Sequence, residues 1–359
     1  MSVNEIRRVV VTGATGLLGG SVVGELLARG IDVVAIVRSE DHARRALGDH
    51  DGIHLVVGDV LDTNAWAPAL RGADAIIHTA AYFREYYQPG FDPLVLERTN
   101  VGAVAKLVAA AEQANVQVFV HISSAGIIGP TPRGETADED TAPNEWSRRN
   151  HYYASKVRAE RLVTTLRDKH KVRIPVVVPG WMWGPGDAAP TPSGQMFLSI
   201  ANAAAPGVPK VKAHIVDARD VAHACVQAAQ GMLNRRYLVA GQRHDLPSIA
   251  AQIARLCGVP APRPVSPRLA LAASGPLQLA DRLRGRPPLV TTRATRVLID
   301  AAPQQLSSAR AQTELGITFR LITETLSDEA HWFRRRRLIP AQPVDATLAR
   351  FHTAIEDAQ

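Results

Sequence analysis

The stretch "VVVTGATGLLGG", residues 9–20, contains the pattern that decides the fold. A short apolar run, typical of a buried parallel strand, is followed by Gly13, Gly16 and Gly19 and then by helical spacing of apolar residues. Glycine permits a tight turn and lets the backbone approach a pyrophosphate, and the first N–H groups of a helix favour phosphate charge. We therefore predict a phosphate-binding turn here. A strand–helix turn that only needs small residues is the alternative that this stretch leaves open.

Strand and helix patterns alternate through the rest of the first half. Strands are predicted at "IDVVAIVR", "IHLVVGDV", "ADAIIHTAA", "VQVFVHISSAG" and "IPVVVPGWMWG", and helices at "GGSVVGELLARG", "TNVGAVAKLVAAAEQAN" and "HYYASKVRAERLVTTLRDKH". This alternation predicts an α/β fold with a doubly wound parallel sheet, that is, a Rossmann fold. We expect residues 1–184 to form the dinucleotide-binding domain, with some later segments returning to it. Residues 185–335 would then form mainly a smaller, partly discontinuous substrate-binding lobe, and residues 336–359 a C-terminal extension.

The composition is that of an ordinary globular protein. The 359 residues are 46% hydrophobic and 21% charged, with a net charge of +7. This charge fits a solvated basic surface or attraction for an anionic ligand such as a phosphorylated cofactor, and no basic-aromatic module suggests nucleic acid. Cys225 and Cys257 form no disulfide framework, and we find no signal peptide and no apolar run of about 18 residues. We expect a cytoplasmic protein without a membrane span and, since its histidines are scattered, without a catalytic metal.

The ends of the second and third strands predict how a dinucleotide would be held. Enzymes that use NAD usually place Asp or Glu after the second strand, but Arg38 stands there and suits a ribose 2′-phosphate. Arg44 and Arg45 could assist it. We therefore favour NADP, while NAD remains possible. Asp59 and Val60, after the third strand, are placed to meet the adenine, although an Asp at such a position is often only a helix cap. The rim of the glycine turn would carry Thr15, Leu17 and Leu18.

A tyrosine and a lysine share one face of the predicted helix "HYYASKVRAE". Tyr152 and Lys156 are four residues apart and therefore aligned, whereas Tyr153 points elsewhere, into packing. A free phenol has a pKa of about 10, and a nearby ammonium is expected to lower it. Tyr152 could then exchange a proton with a carbonyl or alcohol oxygen during hydride transfer by a nicotinamide. Ser123 and Ser124 point to opposite faces of the fifth strand, and we prefer Ser124 as the further donor.

Taken together, the motifs resemble the extended short-chain dehydrogenase/reductase superfamily, in its NAD-dependent epimerase/dehydratase group. The matching pieces are "TGATGLLG", "GDV", "HTAA", "RTNVGAVAKLVAAA", "SSAG", "YYASK", "PGWMWGPGD" and "VDARDVAHA". Some segments look like the dihydroflavonol-reductase and 3β-hydroxysteroid-dehydrogenase branch, and the C-terminal part looks like sugar epimerases. The resemblance implies a catalytic triad and further cofactor contacts, and it makes a homodimer one possible assembly. The implied triad is Ser124, Tyr152 and Lys156; the implied cofactor contacts are Ala80, Ala81, Pro179 and Gly180, and Asn100 has a structural role.

Aromatic residues predict the character of the substrate. The segment at residues 80–91 follows the fourth strand, at the carboxyl end of the sheet where ligands bind in such folds. Its density of aromatic rings suits an apolar or ring-bearing substrate, although the rings could simply clamp the loop. The candidate substrate residues are Tyr82, Phe83, Tyr86, Trp181 and Trp183, and Tyr87, Phe91 and Met182 extend the apolar character.

These features favour an oxidoreductase that reduces a ketone or oxidises a secondary alcohol. The alternative is a nucleotide-sugar epimerase or dehydratase with tightly bound NAD(P), whose substrate pyrophosphate would need basic ligands. Arg282, Arg284, Arg286 and Arg293 could supply them. A non-catalytic cofactor-binding protein is a third reading, and the Tyr152–Lys156 pair argues against it. In each case the partner is a small molecule.

Overall fold

The strand before the glycine turn, β1 (Arg8–Thr12), lies inside a seven-stranded parallel sheet. The structure is a computed structural model that describes residues 5–83, 86, 90–131, 134–285, 291–300 and 305–340. The strands, in spatial order, are β10 (Arg236–Val239), β6 (Val176–Pro179), β5 (Val118–Ile122), β4 (Ala75–His78), β1, β2 (Asp32–Val37) and β3 (Ile53–Val57). The chain winds from β1 out to β3 and then returns to β4 on the other side of β1. The doubly wound fold is thereby confirmed, and its switch point, where ligands bind in such folds, lies between β1 and β4.

Helices cover both faces of this sheet. One face packs against α1 (Leu17–Ala28), α2 (Glu40–Leu47) and α8 (Ala218–Gln230), and the other against α5 (Ala103–Gln113) and α6 (His151–Lys169). Val9 and Val11 belong to the first core and Val10 to the second, because successive strand residues point to opposite faces. Two short helices, α3 (Thr63–Trp66) and α4 (Pro93–Glu97), lie in the connections.

The second half of the chain builds a smaller lobe. It contains a sheet of β7 (Trp181–Trp183), β9 (Lys212–Asp217) and β11 (Gln242–Asp245), and a two-stranded pair of β8 (Val208–Pro209) and β12 (Pro264–Val265). Its helices are α7 (Pro192–Ala201), α9 (Leu246–Cys257), α10 (Pro267–Leu283), α11 (Thr292–Asp300) and α13 (Ile322–Arg335), whereas α12 (Ala309–Leu315) packs beside β10 and α8. Within the described residues, none of the helices has the length and apolar character needed to span a membrane. Most of the predicted C-terminal extension, residues 341–359, lies outside the described residues.

The single strand predicted at "IPVVVPGWMWG" is wrong, because the chain changes sheet at Gly180. β6 ends at Pro179 in the large sheet, and β7 begins at Trp181 in the small one. A Cβ atom at Gly180 would lie 2.3 Å from the carbonyl oxygen of Ala240, so only glycine allows this close passage. The chain makes the same change between β10 and β11, where Gly241 has a φ of +71°. Two of the crossings between the lobes therefore lie next to each other and pass through glycines.

Candidate functional site

The glycine turn has the close packing that a pyrophosphate site needs. Gly13 has a φ of +71°, and a Cβ atom at Gly19 would lie 2.1 Å from the carbonyl oxygen of Gly13. Gly16 is the N-cap of α1, and no side chain caps that helix, so its first N–H groups are left for an external acceptor. Leu17 and Leu18 are buried and do not form the rim of the turn as predicted. Their backbone N–H groups remain suitably placed, and the turn fits a dinucleotide phosphate.

The region beyond β2 holds a cation where a ribose phosphate would be expected. Arg38 is exposed directly after the strand. Arg44, which the sequence offers as an assistant, instead forms ion pairs with Glu40 and Asp49, each at 2.7 Å. The backbone carbonyl of Arg45 accepts a hydrogen bond from Arg336 at 3.3 Å. Arg38 is therefore a better candidate than Arg44 for contacting an anionic cofactor, and the exposed side chain of Arg45 could still assist it.

The turn after β3 is shaped by Asp59. Its carboxylate accepts a hydrogen bond from the N–H of Leu61 at 2.8 Å, and its backbone carbonyl accepts one from the indole N–H of Trp66 at 2.9 Å. Asp59 is exposed and Val60 is half-buried. Both remain available to an adenine. Nearer the switch point, Ala80 lies against the glycine turn, since a Cβ atom at Gly13 would be 2.6 Å from its nitrogen.

Tyr152 and Lys156 lie on the buried face of α6, beside the end of β5. The Lys156 Nζ donates a hydrogen bond of 2.8 Å to the carbonyl oxygen of Ile122, and it lies 5.7 Å from the centroid of the Tyr152 ring. Burial lowers the pKa of Lys156 to about 8. Burial, with a contribution from Tyr153, raises the pKa of Tyr152 above its usual value. The sequence predicts the opposite direction for Tyr152, and the prediction is wrong in this structure because desolvation of the phenol disfavours the phenolate. The phenol is therefore held in its protonated, donor form in this structure.

Ser124 stands at the end of β5, directly before a short 3₁₀ turn. Its backbone is extended, and its hydroxyl accepts a hydrogen bond from the N–H of Gly126 at 3.3 Å. The ring of Tyr153 packs against Gly126, where a Cβ atom would lie 2.2 Å from the Tyr153 Cε1. Ser123 is buried, and its hydroxyl has no hydrogen-bond partner within the described part of the chain. Ser124 is half-buried and is thus the better placed of the two serines to meet a ligand.

Aromatic side chains from the segment after β4 cover Tyr152. The ring centroids of Phe83 and Tyr86 lie 5.0 Å and 6.0 Å from that of Tyr152. The Arg293 guanidinium, from α11 in the smaller lobe, lies 4.7 Å from the Tyr86 ring and 4.3 Å from the Phe91 ring, and it donates a hydrogen bond to the Tyr86 carbonyl. We call Phe83, Tyr86 and Phe91 the aromatic cover. It makes the surroundings of Tyr152 apolar, with one cation behind them.

Asn100 connects the start of this cover to α6. It lies in a π-helical turn, Arg98–Gly102, and is 3% exposed. Its side-chain oxygen accepts a hydrogen bond from the N–H of Tyr82 at 2.7 Å, and its amide nitrogen donates one to the Ser155 hydroxyl at 3.1 Å. The structural role implied by the resemblance fits these contacts, since Asn100 fixes the backbone near Tyr152 from two sides.

The tryptophans predicted to meet substrate are placed differently from one another. Trp181 is half-buried, but Trp183 is fully buried in the core of the smaller lobe, where it cannot touch a ligand without a rearrangement. The prediction for Trp183 therefore needs correction. Trp183 shares one face of β7 with Trp181, and the two ring centroids are 5.1 Å apart, but Trp183 is enclosed by the core of the smaller lobe. Pro179 is buried, whereas Gly180 and Ala81 are half-buried. Tyr87 and Arg286 lie outside the described residues.

Two features of the site carry no signal in the local sequence. One is Arg293, whose contact with the aromatic cover joins residues 207 positions apart. The other is a buried pair under the switch point, in which the Thr12 hydroxyl and the His78 Nδ1 are 2.7 Å apart. Burial lowers the pKa of His78 to about 3, so this imidazole is neutral. Strand alternation could have predicted that both side chains lie on one face of the sheet, but it could not have predicted the distance between them.

Comparison with known proteins fits this geometry. The family model described as "NAD dependent epimerase/dehydratase family" matches residues 9–240. A Synechocystis sp. protein provisionally named dihydroflavonol 4-reductase is 28% identical, over 92% of this chain and 96% of that protein. The protein named sterol demethylase protein B of Methylococcus capsulatus is 30% identical, over 92% and 99% of the two chains. The crystal structure of gox2253 superposes with a TM-score of 0.77 at 29% identity, and the match covers 92% of this chain and 99% of that one.

Proposed function

Because the chain belongs to the NAD dependent epimerase/dehydratase family, we propose that it reduces a ketone or oxidises a secondary alcohol, with Tyr152 as the general acid/base. The chain is an NAD(P)-dependent enzyme of the extended short-chain dehydrogenase/reductase type. The observation that carries the finer proposal is the buried pairing of Tyr152 and Lys156 on α6, beside Ser124 and under the aromatic cover. A proton donor in apolar surroundings is what reduction of a carbonyl requires.

Each residue of the group has a distinct task in this proposal. The nicotinamide, when bound, supplies or accepts the hydride. Tyr152 gives its phenolic proton to the substrate oxygen in the direction of reduction and takes it back in oxidation. Lys156 places a positive charge near the phenol as it loses that proton, which favours the phenolate. Ser124 donates a hydrogen bond that holds the substrate oxygen.

The cofactor favoured by this proposal is NADP. The exposed Arg38 after β2 supports it, because a guanidinium pairs with a 2′-phosphate through two parallel hydrogen bonds and keeps its charge. Titration of the protein with both dinucleotides tests the choice. We expect Arg38→Gln to weaken NADP binding by about 10-fold or more and to leave NAD binding nearly unchanged. Tighter binding of NAD than of NADP by the unmodified protein would contradict the preference.

The substrate proposed is an apolar or ring-bearing carbonyl compound or alcohol. The aromatic cover over Tyr152 supports this class, because flat apolar surfaces bury a ring without needing polar partners. Arg293→Met should release the Tyr86 end of the cover and raise KM for ring-bearing substrates more than it lowers kcat. Arg296→Met is the matched control, since Arg296 is an exposed arginine on the same helix. Equal effects of the two changes would contradict the role of the cover.

The decisive experiment replaces the phenolic hydroxyl alone. Tyr152→Phe keeps the ring that packs against Phe83, so we expect cofactor binding to persist and turnover to fall by about 100-fold or more. Tyr153→Phe is the control, because Tyr153 packs against Gly126 and has no proton-transfer task in the proposal. Nicotinamide absorbance, followed over a panel of aromatic ketones and steroids, measures turnover. Turnover by Tyr152→Phe near the parent level would refute the assignment.

Sugar-nucleotide epimerisation or dehydration is the second candidate, and the family description favours it. It predicts conversion of a nucleotide sugar without net consumption of the cofactor. Of the arginines offered for a pyrophosphate, Arg282 and Arg284 are exposed, and Arg293 is engaged with Tyr86 and Phe91. Because Arg293 is engaged with these aromatic rings rather than placed to bind a pyrophosphate, the oxidoreductase is the better supported of the two functions. Cofactor binding without turnover of any substrate would instead favour a non-catalytic binding protein.

A further inference from the structure

Helix α10 (Pro267–Leu283) directs two polar side chains, Ser274 and Gln278, toward its own lobe. Ser274 is fully buried, and its hydroxyl donates a hydrogen bond of 3.2 Å to the Thr292 hydroxyl at the start of α11. The side-chain oxygen of Gln278 accepts a hydrogen bond of 3.1 Å from the N–H of Thr292. The helix is thus attached to its own lobe by polar contacts, which is the reverse of the usual arrangement for a surface helix.

The outward face of α10 is apolar over its whole length. Leu269, Leu279 and Leu283 are 58%, 57% and 80% exposed, and Ala272 and Pro276 are also exposed. These five residues are separated by steps of three, four, three and four positions, which places them in one stripe along the helix. We call it the α10 stripe. Exposed apolar surface that continues over four helical turns marks an interaction site rather than scattered surface residues.

Arginines at both ends of the helix indicate what covers the stripe. Arg268 lies at the first end, and Arg282 and Arg284 at the other, all exposed. A second copy of this chain is a poor occupant. Whether two α10 helices met in parallel or antiparallel, arginines of one copy would face arginines of the other. An acidic surface with an apolar interior suits both features, because phosphates can pair with the arginines while the leucines enter the acyl region.

We propose that α10 is an interfacial helix that docks the protein on the surface of an anionic lipid membrane. The helix lies in the plane of the surface, with the α10 stripe in the acyl boundary and the arginines among the headgroups. Its attachment to α11 places the membrane beside the helix that carries Arg293, which contacts the aromatic cover. An apolar substrate held in the bilayer would then enter the protein near its apolar site. The docking itself does not depend on the proposed reaction.

Vesicle co-sedimentation of the full chain tests the docking. The unmodified protein should bind vesicles of phosphatidylcholine and phosphatidylglycerol, mixed at about seven to three, and bind pure phosphatidylcholine about 10-fold more weakly. Leu279→Asp with Leu283→Asp should reduce binding to the mixed vesicles by at least about 10-fold. The matched control is Val57→Asp with Met232→Asp, which changes two exposed apolar residues outside α10 and should bind like the parent.

A second variant keeps the proposal falsifiable if the leucine changes disturb folding. Replacing Arg268, Arg282 and Arg284 with glutamine leaves the stripe intact, and it should abolish the preference for phosphatidylglycerol and the loss of binding at high salt. No binding of the parent to mixed vesicles would overturn the proposal. So would binding unaffected by both variants. A dimer in solution that Leu279→Asp with Leu283→Asp converts to a monomer, without vesicle binding by the parent, would assign the stripe to a second copy instead.

Discussion

Replacing Lys156 with methionine is expected to stabilise the cofactor-free protein at neutral pH, although the same change should abolish turnover. Lys156 is 5% exposed, and burial lowers its pKa from 10.5 to about 8. Its ammonium is therefore less favourably placed in the folded protein than in water. Methionine has a similar length and no charge, so it removes the cost of burial and keeps most of the packing.

The size of the effect follows from the displaced pKa and from one hydrogen bond. A pKa displaced from 10.5 to about 8 corresponds to about 3 kcal/mol of unfavourable burial at pH 7. Loss of the Nζ hydrogen bond leaves the Ile122 carbonyl unpaired and costs about 1–2 kcal/mol. The net stabilisation is then about 1–2 kcal/mol. The pKa of Lys156 is lower in the folded than in the unfolded state, so between pH 8 and 10.5 the unfolded chain holds more protons. The free energy of unfolding of the parent therefore rises with pH, by about 2 kcal/mol at about pH 9.5.

Urea unfolding, followed by tryptophan fluorescence, measures the free energy of unfolding of the parent and the variant at about pH 7 and about pH 9.5. Lys106→Met is the matched control, since Lys106 is an exposed lysine in α5 and its removal should change the free energy of unfolding by no more than about 0.5 kcal/mol. The reasoning is refuted if Lys156→Met and the parent differ by the same free energy at both pH values. It is also refuted if the variant is the less stable of the two by more than about 1 kcal/mol at neutral pH.

Three further changes test other parts of the structure. Gly19→Ala places a methyl group 2.1 Å from the Gly13 carbonyl and should weaken dinucleotide binding by about 10-fold or more in a fluorescence titration, whereas Gly24→Ala, which meets no atom within 4 Å, should bind normally. Equal binding by the two variants would contradict this. Burial, together with neighbouring carboxylates, raises the pKa of Glu329 well above 4.5. Above about pH 4.5 the folded state therefore keeps a proton that the unfolded state loses, and the free energy of unfolding falls as the pH rises. In Glu329→Gln, the unfolding temperature should depend less on pH between about pH 5 and pH 8 than it does in the parent. The same pH dependence in both proteins would contradict the role of Glu329. Asn100→Ala removes the acceptor of the half-buried Tyr82 N–H and the donor to Ser155, and it should lower the free energy of unfolding by about 2–3 kcal/mol. A loss below about 0.5 kcal/mol would show that these hydrogen bonds are dispensable.

The parts of the site that could be predicted from the sequence are those whose signals are local. The turn is marked locally by the φ of +71° at Gly13 and by the close approach of Gly19 to the Gly13 carbonyl, and the end of α1 is set by Gly30, whose φ is +70°. The alignment of Tyr152 with Lys156 follows from helical geometry alone. These features depend on backbone periodicity and on steric limits that each short segment carries by itself.

The features that could not be predicted depend on residues distant in the chain. The break at Gly180 is decided by Ala240, which a local apolar run cannot reveal. The pKa of Tyr152 depends on how completely the aromatic cover excludes water, and that cover is held by Arg293. Trp183 faces a core that exists only once the smaller lobe has folded. Each of these outcomes is a property of tertiary packing rather than of a pattern.

Because α8 and β10 join the large sheet late in the chain, they limit where the chain can be truncated and when it can fold during synthesis. β10 pairs with β6, and α8 packs against α1, where Arg29 bonds to Gln227 and Gln230. A fragment ending near residue 184 would expose an unpaired strand edge and a bare apolar helix face, so it should aggregate rather than fold. On the ribosome, the sheet cannot close until residue 239 has emerged. By then only β7, α7, β8 and β9 of the smaller lobe have been synthesised, so most of that lobe folds onto a large sheet that is already complete.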